Sequence, residues 1–359
     1  MKRARIRDLG IVVGTLPPGP LNAITDVEGV RVGHVTKIEG KGKLVPGRGP
    51  VRTGVTAILP HSGDIWHEKV PAASFVFNGC GELTGLWWVR ESGFLEVPIL
   101  LTNTHCVGRV GDGVVSYMQQ QYSQLGIGDD VVTPVVGECD DSTLNDIRGR
   151  HISEADVLAA LRSAGGGPVP EGAVGAGTGM ICYGFKGGIG TSSRVLPADQ
   201  GGYMTGVLSL CNQGIKEELT ILGVPVGRQL TGRSVTRKSM GSIIIIAATD
   251  APLSPRQLER LAKRAPLGLG RTGTVGHNGS GDFIIAFSTT NRIPHRPEKN
   301  TRTVTALSDR SLDSLFQAVE EATEESILNA LSQAQTMEGR DGNIAEALPL
   351  DQVKTILHH

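Results

Sequence analysis

The run Gly241-Ser242-Ile243-Ile244-Ile245-Ile246-Ala247-Ala248-Thr249-Asp250 decides the fold. From Ile243 to Ala248 it is apolar at every position, not at every second one, and it is rich in β-branched residues. That pattern predicts a strand over Ser242–Ala248 in a sheet covered on both faces. Working outward, other short apolar runs bounded by Gly, Pro, Asn and Asp predict strands over Gly54–Leu59, Ala73–Phe77, Val97–Leu101, Val131–Gly137, Gly206–Leu210, Leu219–Val226 and Asp282–Phe287. Helix signals lie between them. Ser153 is a candidate N-cap for a run to Ala164, and Ser254-Pro255-Arg256-Gln257 combines an N-cap, a Pro at the first helical position and a Gln at the third. That second helix should run to about Arg264. Leu312, Leu315, Phe316, Val319, Ala322, Ile327 and Leu328 recur mostly three and four apart, which predicts an amphipathic helix carrying an acidic face of Glu320, Glu321, Glu324 and Glu325. Leu83–Glu91 and Val107–Gln124 are further helix candidates, although Gly108, Gly111 and Gly113 count against the latter. No repeat or linker divides the chain, so residues 1–359 read as one α/β domain of covered sheets.

The composition fits a folded enzyme-sized domain and removes several alternatives. With 39% hydrophobic and 20% charged residues the chain can build a core, which excludes disorder. Its 49 glycines are about twice the ordinary usage of roughly 7%. Such an excess serves tight turns or close approaches of backbone to backbone or ligand. Lys plus Arg (35) nearly balances Asp plus Glu (36), so no nucleic-acid partner is expected. The most basic local run, Arg233, Arg237 and Lys238, reads as a solvated face. Cys80, Cys106, Cys139, Cys182 and Cys211 are scattered without a CxxC pair, which predicts reduced thiols and a cytoplasmic location. No stretch is long and apolar enough for a signal peptide or a membrane span, so no membrane partner is expected.

Five polar constellations stand at predicted strand ends. Ser242 precedes the isoleucine run, either as a Gly-Ser turn or as a nucleophile freed as a new N-terminus, whose α-amine could then act as its base. In Gly279-Ser280-Gly281-Asp282, Ser280 and Asp282 alternate across one glycine, so an extended backbone points both to one side, where they could relay a proton. Asn212, in Leu210-Cys211-Asn212-Gln213-Gly214, is either a turn residue or a donor to an oxyanion. Glu138-Cys139-Asp140-Asp141, with Asn145 and Asp146 beyond, could hold a cation, whether a metal or a substrate ammonium. His61, Asp64 and His67 read as a surface loop, and His105 with Cys106 as the polar end of a core strand. Gly268-Leu269-Gly270-Arg271-Thr272-Gly273 matches the dinucleotide pattern by letter, but it follows a helix and runs into loop, so the nucleotide reading is rejected and no cofactor is expected.

Taken in order, several segments make the chain resemble the peptidases named for L-aminopeptidase/D-amino-acid esterase activity, which include the β-peptidyl aminopeptidases. They are Ile6–Gly10, Asn22–His34, Thr53–Ala57, Phe77–Gly79, Gly81–Gly85, Thr102–Thr104, Gly175–Gly179, Lys186–Ser193, Gly241-Ser242 and Gly279–Asp282. The resemblance implies a four-layer αββα sandwich, similar to N-terminal nucleophile hydrolases but with different connectivity. It implies a precursor that cleaves itself between Gly241 and Ser242, leaving pieces 1–241 and 242–359. It further implies Ser242 as catalytic nucleophile, Ser280 and Asp282 as its neighbouring pair, Asn212 as oxyanion donor and Glu138 as the carboxylate that binds the substrate's free ammonium. No metal is implied, and the processed pairs are expected to form a homotetramer. The substrate would be a small peptide or an amino-acid amide or ester. Where the family often has Glu-Thr-Tyr-Asp, this chain reads Glu138-Cys139-Asp140-Asp141, so a carboxylate replaces a Tyr of the oxyanion site. The competing readings are a self-cleaving acyltransferase similar to ornithine acetyltransferase, a non-catalytic module that binds a small ligand, and a metallopeptidase.

Overall fold

All four isoleucines of the deciding run are fully buried, but in two different cores: Ile244 and Ile246 in one, Ile243 and Ile245 in the other. The strand they form therefore lies in a sheet with apolar material on both faces. The computed structural model describes residues 2–232 and 241–358; Arg233, Arg237 and Lys238 fall outside them.

In chain order, β1 (Arg31–Glu39), β2 (Val51–Leu59) and β3 (Glu68–Gly79) precede α1 (Leu86–Ser92), β4 (Phe94–Leu95) and β5 (Ile99–Asn103). Then come α2 (Val107–Gln121), β6 (Val135–Cys139) and α3 (Glu154–Arg162), followed by the small hairpin β7 (Ile181–Cys182) and β8 (Phe185–Lys186). The centre of the molecule is β9 (Gly188–Val195), β10 (Met204–Cys211) and β11 (Ile243–Thr249), then α4 (Pro255–Ala262), α5 (Ala265–Arg271), β12 (Gly281–Ser288) and β13 (Ile293–Pro294). The long helix α6 (Asp313–Gln333), the β14–β15 pair (Met337–Glu338, Ile344–Ala345) and α7 (Leu350–Leu357) close the chain.

Two sheets face each other. The smaller runs β1-β2-β5-β6; the larger runs β13-β3-β12-β11-β10-β9, with β4 added beside β3. Between them pack Ile58, Leu100 and Val136 from one sheet and Leu208, Ile244 and Ile285 from the other. Helices α2 and α3 cover the outer face of the smaller sheet. Leu258 of α4, Leu269 of α5 and Leu315 of α6 join Ile243, Ile245 and Ile284 on the outer face of the larger one. This is the four-layer αββα arrangement expected from the resemblance.

The structure corrects the sequence reading in several places. Leu219–Val226 is not a strand: Leu222 and Gly223 take positive φ (50° and 78°), and Ile221 and Val224 exchange backbone hydrogen bonds across that turn. The strand expected from Val131 begins at Val135, after Pro134, which has no N–H to donate. Strands β1 and β9 were not expected: β1 is largely polar and only partly buried, and β9 is made of small and polar residues that the neighbouring layers bury. The segment around Gly268 is not loop but helix α5, and a Cβ on Gly268 would stand 2.2 Å from the Glu320 carbonyl oxygen of α6, so its glycine serves helix contact. The acids of α6 do not form a solvated face. Glu321, Glu324 and Glu325 are buried, and Arg194 on β9 meets Glu321 at 3.0 Å and Glu325 at 2.7 Å.

Candidate active site

One end of the two sheets gathers the polar residues. β10 pairs antiparallel with β11 so that Cys211 lies opposite Ile243, and β11 runs parallel to β12 with Ile243 opposite Asp282. Asn212 therefore leaves one strand where Ser242 enters the next, with Ser280 and Asp282 entering the third. β6 ends at the same place, its Glu138 opposite Thr102 of β5. The turn before β12 is tied down by Asn78, whose side-chain amide donates to the carbonyls of Gly276 and His277 at 3.1 and 2.6 Å.

Ser242 is 8% exposed, and its Oγ accepts the Gly281 N–H at 3.2 Å. Its carbonyl accepts the Asn212 backbone N–H at 3.1 Å. Gly241 before it has φ +74°, in the left-handed region where a side chain is strained. Ser280 Oγ donates to Asp282 Oδ1 at 2.5 Å, as the alternation across Gly281 requires. The other Asp282 oxygen, Oδ2, is buried without a hydrogen-bond partner among the described residues. Burial pushes the Asp282 carboxyl up to about 6, against the opposing pull of the Ser280 hydroxyl and the Ile243 N–H. Asn212 is fully buried; its Oδ1 accepts the Ile181 N–H at 2.9 Å, and its Nδ2 donates to the Asp140 carbonyl at 3.0 Å. These bonds fix the amide with its donor end turned towards the Asp140 side.

Glu138 is 2% exposed and held at both oxygens: Oε1 accepts the Glu82 N–H at 2.9 Å and Oε2 accepts the Thr104 hydroxyl. A Cβ at Gly81 would come within 2.7 Å of Glu138 Oε1, so glycine lets this backbone approach the carboxylate. Burial raises the Glu138 pKa; Thr104 and the Glu82 N–H oppose the rise, and the Asp140 and Glu82 charges add to it.

A cavity of about 470 Å³ joins Gly241, Ser242, Glu138, Thr104, His105 and Asp140 in its wall. Of the acidic run, only Glu138 and Asp140 reach it. Asp141 is buried against the Asn145 amide at 2.9 Å, and Asp146 accepts the Gly47 N–H at 2.7 Å. Of His105 and Cys106, which could line a pocket or form the polar end of a core strand, His105 stands on the cavity wall and Cys106 is buried in the core. Thr104 and Gly81 were not assigned from sequence; the polar Thr102-Asn103-Thr104 at a strand end was the signal available. His67 and Asp64 form an exposed pair at 2.7 Å, as a surface loop should, but His61 is buried, its ring bonded to the Glu68 carbonyl at 2.8 Å and to the Gly63 N–H at 2.9 Å. No helix among the described residues is long and apolar enough to cross a membrane.

The sequence model described as "Peptidase family S58" matches residues 22–345. A protein of Pyrococcus horikoshii OT3 has a crystal structure that superposes with a TM-score of 0.94 at 50% identity, covering 99% of both chains. The beta-peptidyl aminopeptidase BapA of Sphingosinicella microcystinivorans is 44% identical over 98% of this chain and 91% of its own. The L-aminopeptidase D-Ala-esterase/amidase of Ochrobactrum anthropi, described as a prototype for the serine aminopeptidases and a new variant of the Ntn hydrolase fold, superposes at 0.92 with 43% identity, covering 99% and 98% of the two chains. With the family match spanning most of its length and relatives of this similarity, the chain belongs to Peptidase family S58 and is a hydrolase of the aminopeptidase kind.

Proposed function

We propose that the chain is a self-processing aminopeptidase and amidase-esterase whose N-terminal serine releases one unblocked amino acid through an acyl-enzyme. The observation that carries this is the shared cavity: Ser242 Oγ, the Gly241–Ser242 bond and the buried Glu138 carboxylate open onto the same space.

In processing, Ser242 Oγ attacks the Gly241 carbonyl carbon. The C–N bond breaks as the C–O bond forms, and water hydrolyses the resulting ester, which frees the Ser242 α-amine. The left-handed backbone at Gly241, open to glycine and strained for other residues, lets the chain present this carbonyl to Ser242. In turnover, the same Oγ attacks the substrate's acyl carbon and its proton passes to the α-amine, whose ordinary pKa is near 7.7–8.0. Ser280 and Asp282 orient that amine and take up its positive charge. The Asn212 amide, aided by backbone N–H groups, stabilises the oxyanion; one such donor is typically worth about 2.7–4 kcal/mol. Glu138 pairs with the substrate ammonium, which limits cleavage to the first residue of a free N-terminus. Water then releases the acyl group. Nucleophile, base and oxyanion donors all come from the chain, so this chemistry calls on no metal or cofactor. The processed pairs act in the cytoplasm as a homotetramer.

A denaturing gel with intact-mass measurement tests the proposal. The mass of 37.8 kDa, shared in proportion to 241 and 118 residues, gives pieces of about 25 and 12 kDa. Ser242→Ala is expected to leave one chain and no hydrolysis of amino-acid amides. A wild-type protein that stays intact and inactive refutes the reading, and transfer of the acyl group to an amine in preference to water identifies an acyltransferase instead.

A further inference from the structure

The cavity holds two carboxylates where the proposed reaction needs one. Glu138 is spoken for by the α-ammonium of the substrate. Asp140 follows it by two positions, directly after β6 ends at Cys139. Both line the cavity beside Ser242. Asp140 Oδ1 accepts the Ser142 N–H at 2.8 Å, and Oδ2 has no hydrogen-bond partner among the described residues. Among the described residues that line the cavity there is no Lys or Arg, and His105 is the only nitrogen base among their side chains, beside the α-amine that processing would free at Ser242. The nearby Glu82, by contrast, opens onto a separate groove that also carries Arg90 and Lys263.

A partly buried carboxylate that faces no Lys or Arg among the described residues of the cavity wall has charge to spare beyond the Ser242 α-amine, and a ligand cation can pair with it. The span fits one chemical class. Residues two apart along the chain lie at most about 7 Å from one another at their Cα atoms. The Lys side chain carries its ammonium on a four-carbon stem, long enough to bridge from one carboxylate to the next. Resting on the aminopeptidase reading above, we infer that Asp140 is a specificity-determining residue that selects substrates whose first residue has a cationic side chain, such as lysine or ornithine.

The experiment compares kcat/KM for the p-nitroanilides of lysine and norleucine, which differ in the terminal ammonium. Wild-type enzyme is expected to favour lysine at least about tenfold, as for a hydrogen bond to a charged group. Asp140→Asn should bring the lysine-to-norleucine ratio close to one; the ratio cancels any general loss of activity. Equal wild-type rates on the two overturn this inference and leave the aminopeptidase reading standing. Hydrolysis of neither overturns both. A preference that disappears with EDTA and returns with zinc overturns it too, because a metal then occupies Asp140. Should Asp140→Asn fail to fold, inhibition of the wild type decides the matter. Pentane-1,5-diamine should bind at least about tenfold more tightly than pentylamine, and equal inhibition constants count against the inference.

Discussion

At the scale of single residues, the two carboxylates of the site should show themselves in pH profiles. Burial raises Asp282 to about 6, above the ordinary carboxylate range. Its contribution to stability is therefore full at low pH, where both folded and unfolded chains are protonated, and is lost as pH rises through about 6, because the folded state then carries an ionised group that water solvates better. Asp282→Asn keeps an acceptor for Ser280 and removes that charge. Melting temperatures should show the variant gaining on the wild type at pH 8 but not at pH 4; a gain of equal size at both pH values would contradict the burial argument. Glu138 is governed by its two donors. Loss of the Thr104 hydroxyl in Thr104→Val removes a hydrogen bond to the ionised form, so the Glu138 pKa rises further and the acid limb of kcat/KM moves to higher pH. KM should rise about tenfold or more with kcat little changed, and Thr104→Ser should restore it. A fall in kcat alone would place Thr104 with the reacting groups instead.

At the scale of elements, the strands buried on both faces were the most legible. Ile243–Thr249 and Gly281–Ser288 announce themselves through unbroken apolar runs, and α4 through its Ser254 cap and Pro255. Strand β9 was silent because its Gly190, Ser192 and Arg194 are buried only once α6 lies across them, and its Thr191 and Ser193 only once Asn22, Ile24 and Asp26 cover the other face. Of the candidate site, the sequence held Ser242, the Ser280–Asp282 alternation and Glu138, all of which are local to strand ends. It could not reveal Thr104 or Gly81, since their roles depend on two loops meeting Glu138 in space. Helix α2 shows the same limit. Its glycines argued against a helix, yet a Cβ at Gly113 would approach Val157 Cβ to 2.8 Å, so the glycine is what lets α2 lie against α3. Gly113→Val should therefore destabilise by about 1–3 kcal/mol through overpacking. This contact lies on the outer face of the smaller sheet, so the loss should appear in the urea midpoint while kcat/KM per folded molecule is kept.

At the scale of the whole molecule, the cut proposed at Gly241–Ser242 would divide the sequence without dividing the fold. In the larger sheet, β3, β10 and β9 belong to residues 1–241, and β11, β12 and β13 to residues 242–359. Their order places β12 and β11 between β3 and β10, so each piece supplies the hydrogen-bonding neighbours of the other. Helix α6 of the second piece lies across β9 and β10 of the first. The Arg194 guanidinium, fully buried on β9, joins Glu321 and Glu325 of α6 across that boundary, and Arg7 reaches Glu325 at 2.8 Å from the N-terminal segment. The core between the two sheets and the core outside the larger one both draw on the two pieces, so the processed protein should unfold in one urea transition with both pieces released together. An early step that frees a 12-kDa piece from a folded 25-kDa remainder would show that the sheet does not bind them as described. Arg194→Met tests the charged part of this contact. It leaves the buried Glu321 without its ion-pair partner and Glu325 with Arg7 alone, and removing one member of such a group costs about 3–5 kcal/mol. The urea midpoint should fall accordingly. It should recover in part at low pH, where Glu321, without the Arg194 hydrogen bond that helps hold its pKa down, can take up a proton; a midpoint deficit that does not depend on pH would mean that the loss comes from packing of the arginine stem and not from its charge.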